Sequence, residues 1–107
     1  MPFPLDHYIE ASHVDYKERL EEKKPRSWLK SVSAFANTEG GHLIFGVMNE
    51  PREVVGLENP QAVVSRLTEL IKVRIDPTPR YRVREVEIEG KSCIDLEVQD
   101  GPAYPYY

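Results

Sequence analysis

The sequence predicts an α+β domain: a mixed β-sheet with two packed helices, in the order strand, helix, strand, strand, helix, strand, strand. Three observations carry this. Apolar residues recur at helical spacing in two separate stretches, first Trp28, Leu29, Val32, Phe35 and Ala36, then Val63, Val64, Leu67, Leu70, Ile71 and Ile75. Between them, Leu43, Ile44, Phe45 and Val47 form a nearly unbroken apolar run, the pattern of a strand covered on both faces. After the second helical stretch, two segments of alternating character flank Gly90, as in a β-hairpin. Strands and helices in this order build one layer of sheet with helices packed on it.

Taken in order, residues 1–10 contain Pro2 and Pro4 and read as an irregular arm. Val14 and Tyr16 alternate with His13, Asp15 and Lys17, which predicts a short first strand. Glu18 to Lys24 reads as a charged, solvated connection, with a helix as the alternative. Pro25-Arg26-Ser27 opens the first helix, expected over Arg26 to Asn37. It stops where Asn37, Thr38, Gly40 and Gly41 cluster, because glycine adopts the left-handed conformation at a helix end without a Cβ clash. A strand follows over His42 to Met48, and Gly46 inside it predicts close approach by another backbone or by a ligand. Asn49-Glu50-Pro51-Arg52-Glu53 reads as a turn into a shorter strand, Val54 to Leu57. Asn59-Pro60 starts the second helix, Pro60 to Ile75, with Asn as cap and Pro at the first helical position. Asp76-Pro77-Thr78-Pro79 ends it, since proline cannot continue a helix. Tyr81 to Glu89 and Ser92 to Val98 form the hairpin. Ile94, Leu96 and Val98 share a face, whereas Tyr81 and Val83 are out of phase with Val86 and Ile88. That predicts either a bulge near Arg84 and Glu85 or a strand whose two halves are covered on different faces. The expected core joins Trp28, Phe35, Ile44, Val64, Leu67 and Ile71.

Length and composition bound the function. A chain of 107 residues with 40% apolar content is one domain with a modest core. Charged residues make up 30% with both signs mixed, an ordinary solvated surface. The net charge of −4 argues against a surface that is basic overall, so any contact with nucleic acid must come from local patches. The single cysteine, Cys93, allows neither an internal disulfide nor a multi-cysteine zinc site. No segment approaches the ~18 apolar residues of a membrane span, and no signal peptide opens the chain, so the expectation is a cytoplasmic protein with no membrane contact.

The phrase Ala34-Phe35-Ala36-Asn37-Thr38-Glu39-Gly40-Gly41, followed by Ile44-Phe45-Gly46-Val47, resembles the Schlafen-type AlbA-like domain. Glu10-Ala11-Ser12-His13-Val14-Asp15-Tyr16-Lys17 is similar to that family's acidic opening motif, Val54-Val55-Gly56-Leu57 to the segment after its glycine turn, and Gly101 to Tyr107 to its close. The resemblance spans nearly the whole chain in the right order. It implies one domain over residues 1–107, the N-terminal piece of a longer protein with downstream domains. The family occurs in bacterial proteins described as transcriptional regulators or as AAA-ATPase-associated proteins, and it forms the core of animal Schlafen proteins. It therefore implies a DNA-binding or, more broadly, nucleic-acid-binding role, with DNA or RNA as partner. Relatives often place two copies side by side, which implies a homodimer here.

Two sets of candidate site residues follow. In animal relatives that cut RNA, carboxylates in the opening motif and after the glycine-valine strand form the active site. By resemblance these fall on Glu10, Asp15 and Asn49. Three carboxylates can hold a divalent metal that activates water at a phosphate. Asn49 is neutral, so the resemblance implies an incomplete site and a domain without efficient nuclease activity. Mg²⁺ or Mn²⁺ would be needed only for the alternative, a Schlafen-type endoribonuclease, and no other cofactor is expected. A third possibility is a dimerisation or docking module.

The second set is basic: Lys17, Arg26 and Lys30 in the first third, and Arg80, Arg82 and Arg84 beyond the proline turn. The last three alternate and so project from one face of a strand, where guanidinium groups can track phosphates. They can equally pair with Asp95, Glu97 and Glu87 across the hairpin as a solvated ladder. The Asn37 to Gly41 turn follows a helix and lacks the Lys-Ser/Thr pair of a nucleotide-binding loop, so it reads as a tight connection. His7, His13 and His42 show no ligand spacing with Cys93 and read as ordinary surface or strand histidines.

Overall fold

The computed structural model describes residues 2–3, 14–20, 26–48, 51–75 and 79–99. The elements are β1 (Pro2–Phe3), β2 (Val14–Lys17), α1 (Arg26–Ala36), β3 (Gly41–Phe45), β4 (Val47–Met48), β5 (Glu53–Val54), α2 (Pro60–Arg74), β6 (Tyr81–Ile88) and β7 (Lys91–Val98). A five-stranded sheet runs β1-β6-β7-β3-β2, and β4 and β5 form a separate two-stranded sheet. β2 lies parallel to β3 and β1 parallel to β6, while β7 runs antiparallel to both of its neighbours, β3 and β6. The mixed sheet with two helices is the expected α+β class.

Both helices cover one face of the sheet. Trp28, Leu29, Val32 and Ala36 of α1 and Leu67, Leu70 and Ile71 of α2 meet Leu43, Phe45, Ile94, Leu96 and Val98. Strand side chains alternate between faces, so Leu43 pairs across to Leu96 and Phe45 to Ile94 on this side. Trp28 and Phe45 meet edge to face, ring centroids 5.8 Å apart at 83°. The start of α2 follows from Asn59-Pro60: the Asn59 Oδ1 accepts from Ala62 N at 3.3 Å, and Pro60 sits where no N–H is needed.

The opposite face carries a second, smaller cluster of Tyr16, Ile44, Val86, Ile88 and Cys93, with Val47 and Val54 from the β4–β5 pair. Ile44 therefore belongs to this face and not to the helix-side core, because it lies between Leu43 and Phe45 in one strand. Phe35 and Val64 are only partly buried against the main core.

Two further expectations are corrected, and one left as two alternatives is decided. Pro2 and Phe3 are not irregular but form a short parallel edge beside Glu87 and Ile88. There is no bulge in β6: its register with β7 runs unbroken from Tyr81–Val98 to Ile88–Lys91. The phase shift has the other cause, since Tyr81 and Val83 pack on the helix side and Val86 and Ile88 on the opposite side. Finally, the strand over His42 to Met48 is broken at Gly46, whose φ of 106° turns β4 out of the main sheet. A Cβ there would lie 2.9 Å from Cys93 Sγ, and Gly46 O accepts from Val55 N and Gly56 N, each at 2.9 Å. The close approach predicted at Gly46 thus comes from this chain's own thiol and backbone. Among the described residues, no helix is long and apolar enough to cross a membrane.

Candidate nucleic-acid interface

The alternation of β6 places Arg82 and Arg84 on the face opposite the helices, and both are exposed. The ladder continues one step beyond the strand, where Gln99 N donates to Arg80 O at 2.9 Å, so exposed Arg80 joins the same row. On this face Arg82 stands opposite Glu97, and Arg84 opposite Asp95. One strand further, Glu97 stands opposite His42 and Asp95 opposite Ile44. Three strands therefore bring two cations, two carboxylates and an imidazole together.

Asp95 is the anchor of this group. It is fully buried, and its two oxygens are held from opposite sides. Arg84 Nη2 donates to Oδ2 at 3.0 Å, and His42 Nδ1 donates to Oδ1 at 2.9 Å. A buried carboxylate needs such partners, because desolvation otherwise costs several kcal/mol, on the order of 2–7 even for a neutral polar group. The other His42 nitrogen, Nε2, lies 3.9 Å from Glu97 Oε2. The hydrogen bond to Asp95 raises the His42 pKa above its ordinary value, against the opposing effects of burial and the Arg84 charge; Glu97 adds to the rise. Of the cross-strand pairing read from the sequence, the Arg84–Asp95 pair is present, but at Asp95 it is buried and not a solvated ladder, and Glu87 lies on β6 itself, opposite Ser92.

Of the other candidates, those whose side chains are described do not join this face. Asp15 and Lys17 point to the helix side, in register with Leu43 and Phe45. Ser31 Oγ donates to Asp15 Oδ2 at 3.0 Å, while Lys17 Nζ donates to Ser27 Oγ at 3.1 Å and lies 3.5 Å from Asp15 Oδ2. This polar network ties β2 to α1. Lys30 is exposed on α1, on the helix side of the molecule. Arg26 opens α1, and its side chain lies outside the described residues, as do Glu10 and Asn49. Among the described residues no three His, Cys, Asp or Glu side chains are grouped as a metal ion would require.

The glycine turn has little to offer a phosphate. Asn37 N donates to Ser33 O at 3.0 Å, Thr38 N to Phe35 O at 3.2 Å and Gly40 N to Phe35 O at 2.8 Å, so these donors close the end of α1. The turn is the tight connection read from the sequence.

The His42–Asp95 pair was invisible in the sequence. Its members are 53 positions apart, and only the register of β3 on β7 makes them neighbours. The available signal was the alternation of β7, which places Asp95 on the side away from Ile94 and Leu96.

Comparison with known proteins bears on the fold and the family. An uncharacterized ATP-binding protein of Ureaplasma parvum is 34% identical over 50 residues, covering 47% of this chain and only 14% of that protein's length. The N-terminal domain of an ATP-dependent DNA helicase RecG-related protein from Nitrosomonas europaea superposes with a TM-score of 0.77 at 24% identity, over 96% of this chain and 76% of that one. A Corynebacterium diphtheriae protein gives 0.63 at 23% identity, over 87% and 18%. These two likenesses are likenesses of fold. With the glycine turn, the broken β3–β4 strand and the β6–β7 hairpin in place, residues 10–107 match the family described as Schlafen, AlbA_2, and the chain belongs to it.

Proposed function

We propose that this domain binds nucleic acid, DNA foremost, through backbone phosphates, as the N-terminal module of a longer cytoplasmic chain that regulates transcription. The observation that carries this is the arginine row. Arg80, Arg82 and Arg84 are exposed at alternate positions, so their guanidinium groups leave one side of the sheet about 7 Å apart. Guanidinium is suited to phosphate by its planar fork of donors. The net charge of −4 confines attraction to this patch, so binding rests on few contacts. The description of one structural neighbour as related to a DNA helicase points the same way.

The test is the salt dependence of binding to labelled DNA and RNA by the intact chain and by Arg80→Ala/Arg82→Ala. Arg84 stays in place because it holds the buried Asp95. Removing two phosphate contacts should flatten the log–log salt slope by about two units on duplex DNA. Equal slopes would remove this strand from the binding surface.

A further inference from the structure

We propose that His42 joins Arg82 and Arg84 in a phosphodiester-binding patch whose hold on nucleic acid strengthens when His42 carries a proton. This rests on the nucleic-acid reading above and adds to it a residue and a proton linkage.

Charge within the cluster comes first. With His42 neutral, the two positive charges of Arg82 and Arg84 are matched by the two negative charges of Asp95 and Glu97, and the group is neutral. A proton on His42 makes it positive by one. The geometry makes that charge useful. Asp95 is buried and shared between Arg84 and His42, one oxygen each. When the imidazole is neutral, Arg84 is the cation that balances Asp95. When it is an imidazolium, His42 takes over that balance, and the charge of Arg84 can act outward. The Arg84 side chain is 46% exposed and can reach a ligand without leaving Asp95.

Glu97 is the local competitor. It stands between Arg82 and His42, in register with both, and its Oε2 lies 3.9 Å from Nε2. An incoming phosphate replaces it as the anion facing these cations. Among the described residues, the charged groups that act on His42 are Asp95 and Glu97 from β7 and Arg84 from β6, and from β2 its register partner is the uncharged Val14. The balance of these favours the protonated ring, with the Asp95 hydrogen bond as the largest cause. Protonation and phosphate binding then reinforce one another reciprocally.

The test measures binding of a labelled DNA duplex at pH 6 and pH 8, at matched ionic strength, for the intact chain and for His42→Gln. The intact chain should bind about five- to tenfold more tightly at pH 6, the lower range of typical coupling between sites, and the variant should show a ratio near one. The same ratio in both proteins overturns the proposal and leaves nucleic-acid binding standing. No binding at either pH overturns both. If His42→Gln does not fold, the His7→Gln/His13→Gln chain leaves His42 as the sole imidazole. Its ring titration, followed by NMR, should move to higher pH when duplex is added. An unmoved midpoint overturns the proposal.

Discussion

At the residue scale, Asp95 ties an electrostatic knot between Arg84 and His42, and His42 makes it sensitive to pH. Its pKa in the folded chain is raised, chiefly by the Asp95 hydrogen bond. The folded state therefore holds that proton more firmly than the unfolded chain does. The resulting stabilisation is fully present below the ordinary imidazole value of 6.5 and is lost as pH rises through the raised value. Replacing His42 with Gln should cost about 1.5–3 kcal/mol on the acid side, the range for a hydrogen bond to a charged partner, and less at alkaline pH. Urea denaturation of both proteins at pH 5.5 and pH 9 measures the gap. A gap that is constant, or that widens with pH, would show that Asp95 does not hold the protonated ring.

At the element scale, the junction of β3 and β4 depends on one missing side chain. Gly46 turns the chain with a φ of 106° and leaves 2.9 Å between its would-be Cβ and Cys93 Sγ. Gly46→Ala should destabilise by about 2–4 kcal/mol, combining left-handed strain with overpacking. Cys93→Ala should relieve the packing part, leaving a coupling of ~1 kcal/mol in a double-mutant cycle. Strict additivity would mean that the thiol is not the obstacle. Burial pushes the Cys93 thiol up to about 11, so at neutral pH it is a packing atom and not a nucleophile. The sequence announced that something approaches Gly46 but not what, because Cys93 reaches it only through the β6–β7 hairpin folding beside β3. The helices were readable because spacing, an Asn-Pro start and a glycine stop are local signals. The phase of β6 was readable as an alternative of two, and only the register with β7 decided it. Ile44 lies on the face opposite the expected one because an unbroken apolar run does not say which residues point which way.

At the scale of the whole molecule, the sheet divides the work. One face is sealed by α1 and α2 over Trp28, Phe45 and Leu96. The other carries a small apolar cluster beside the arginine row and the Asp95 knot. The candidate interface was half legible in the sequence: Arg82 and Arg84 by alternation, Asp95 and Glu97 as their partners. Lys17 and Lys30 belong to the helix side, and nothing local to Lys17 signals that it binds Ser27 of α1. Function thus rests on the claim that the face away from the helices meets the phosphates. Backbone amide shifts of the intact chain, followed by NMR during titration with a DNA duplex, test it most directly. Shifts should concentrate on Arg80, Arg82 and Arg84 of the β6 row, with Glu97 and His42 beside them, while Lys30 and α2 stay unmoved. Shifts centred on α1 and Lys17, or none at saturating duplex, would contradict it.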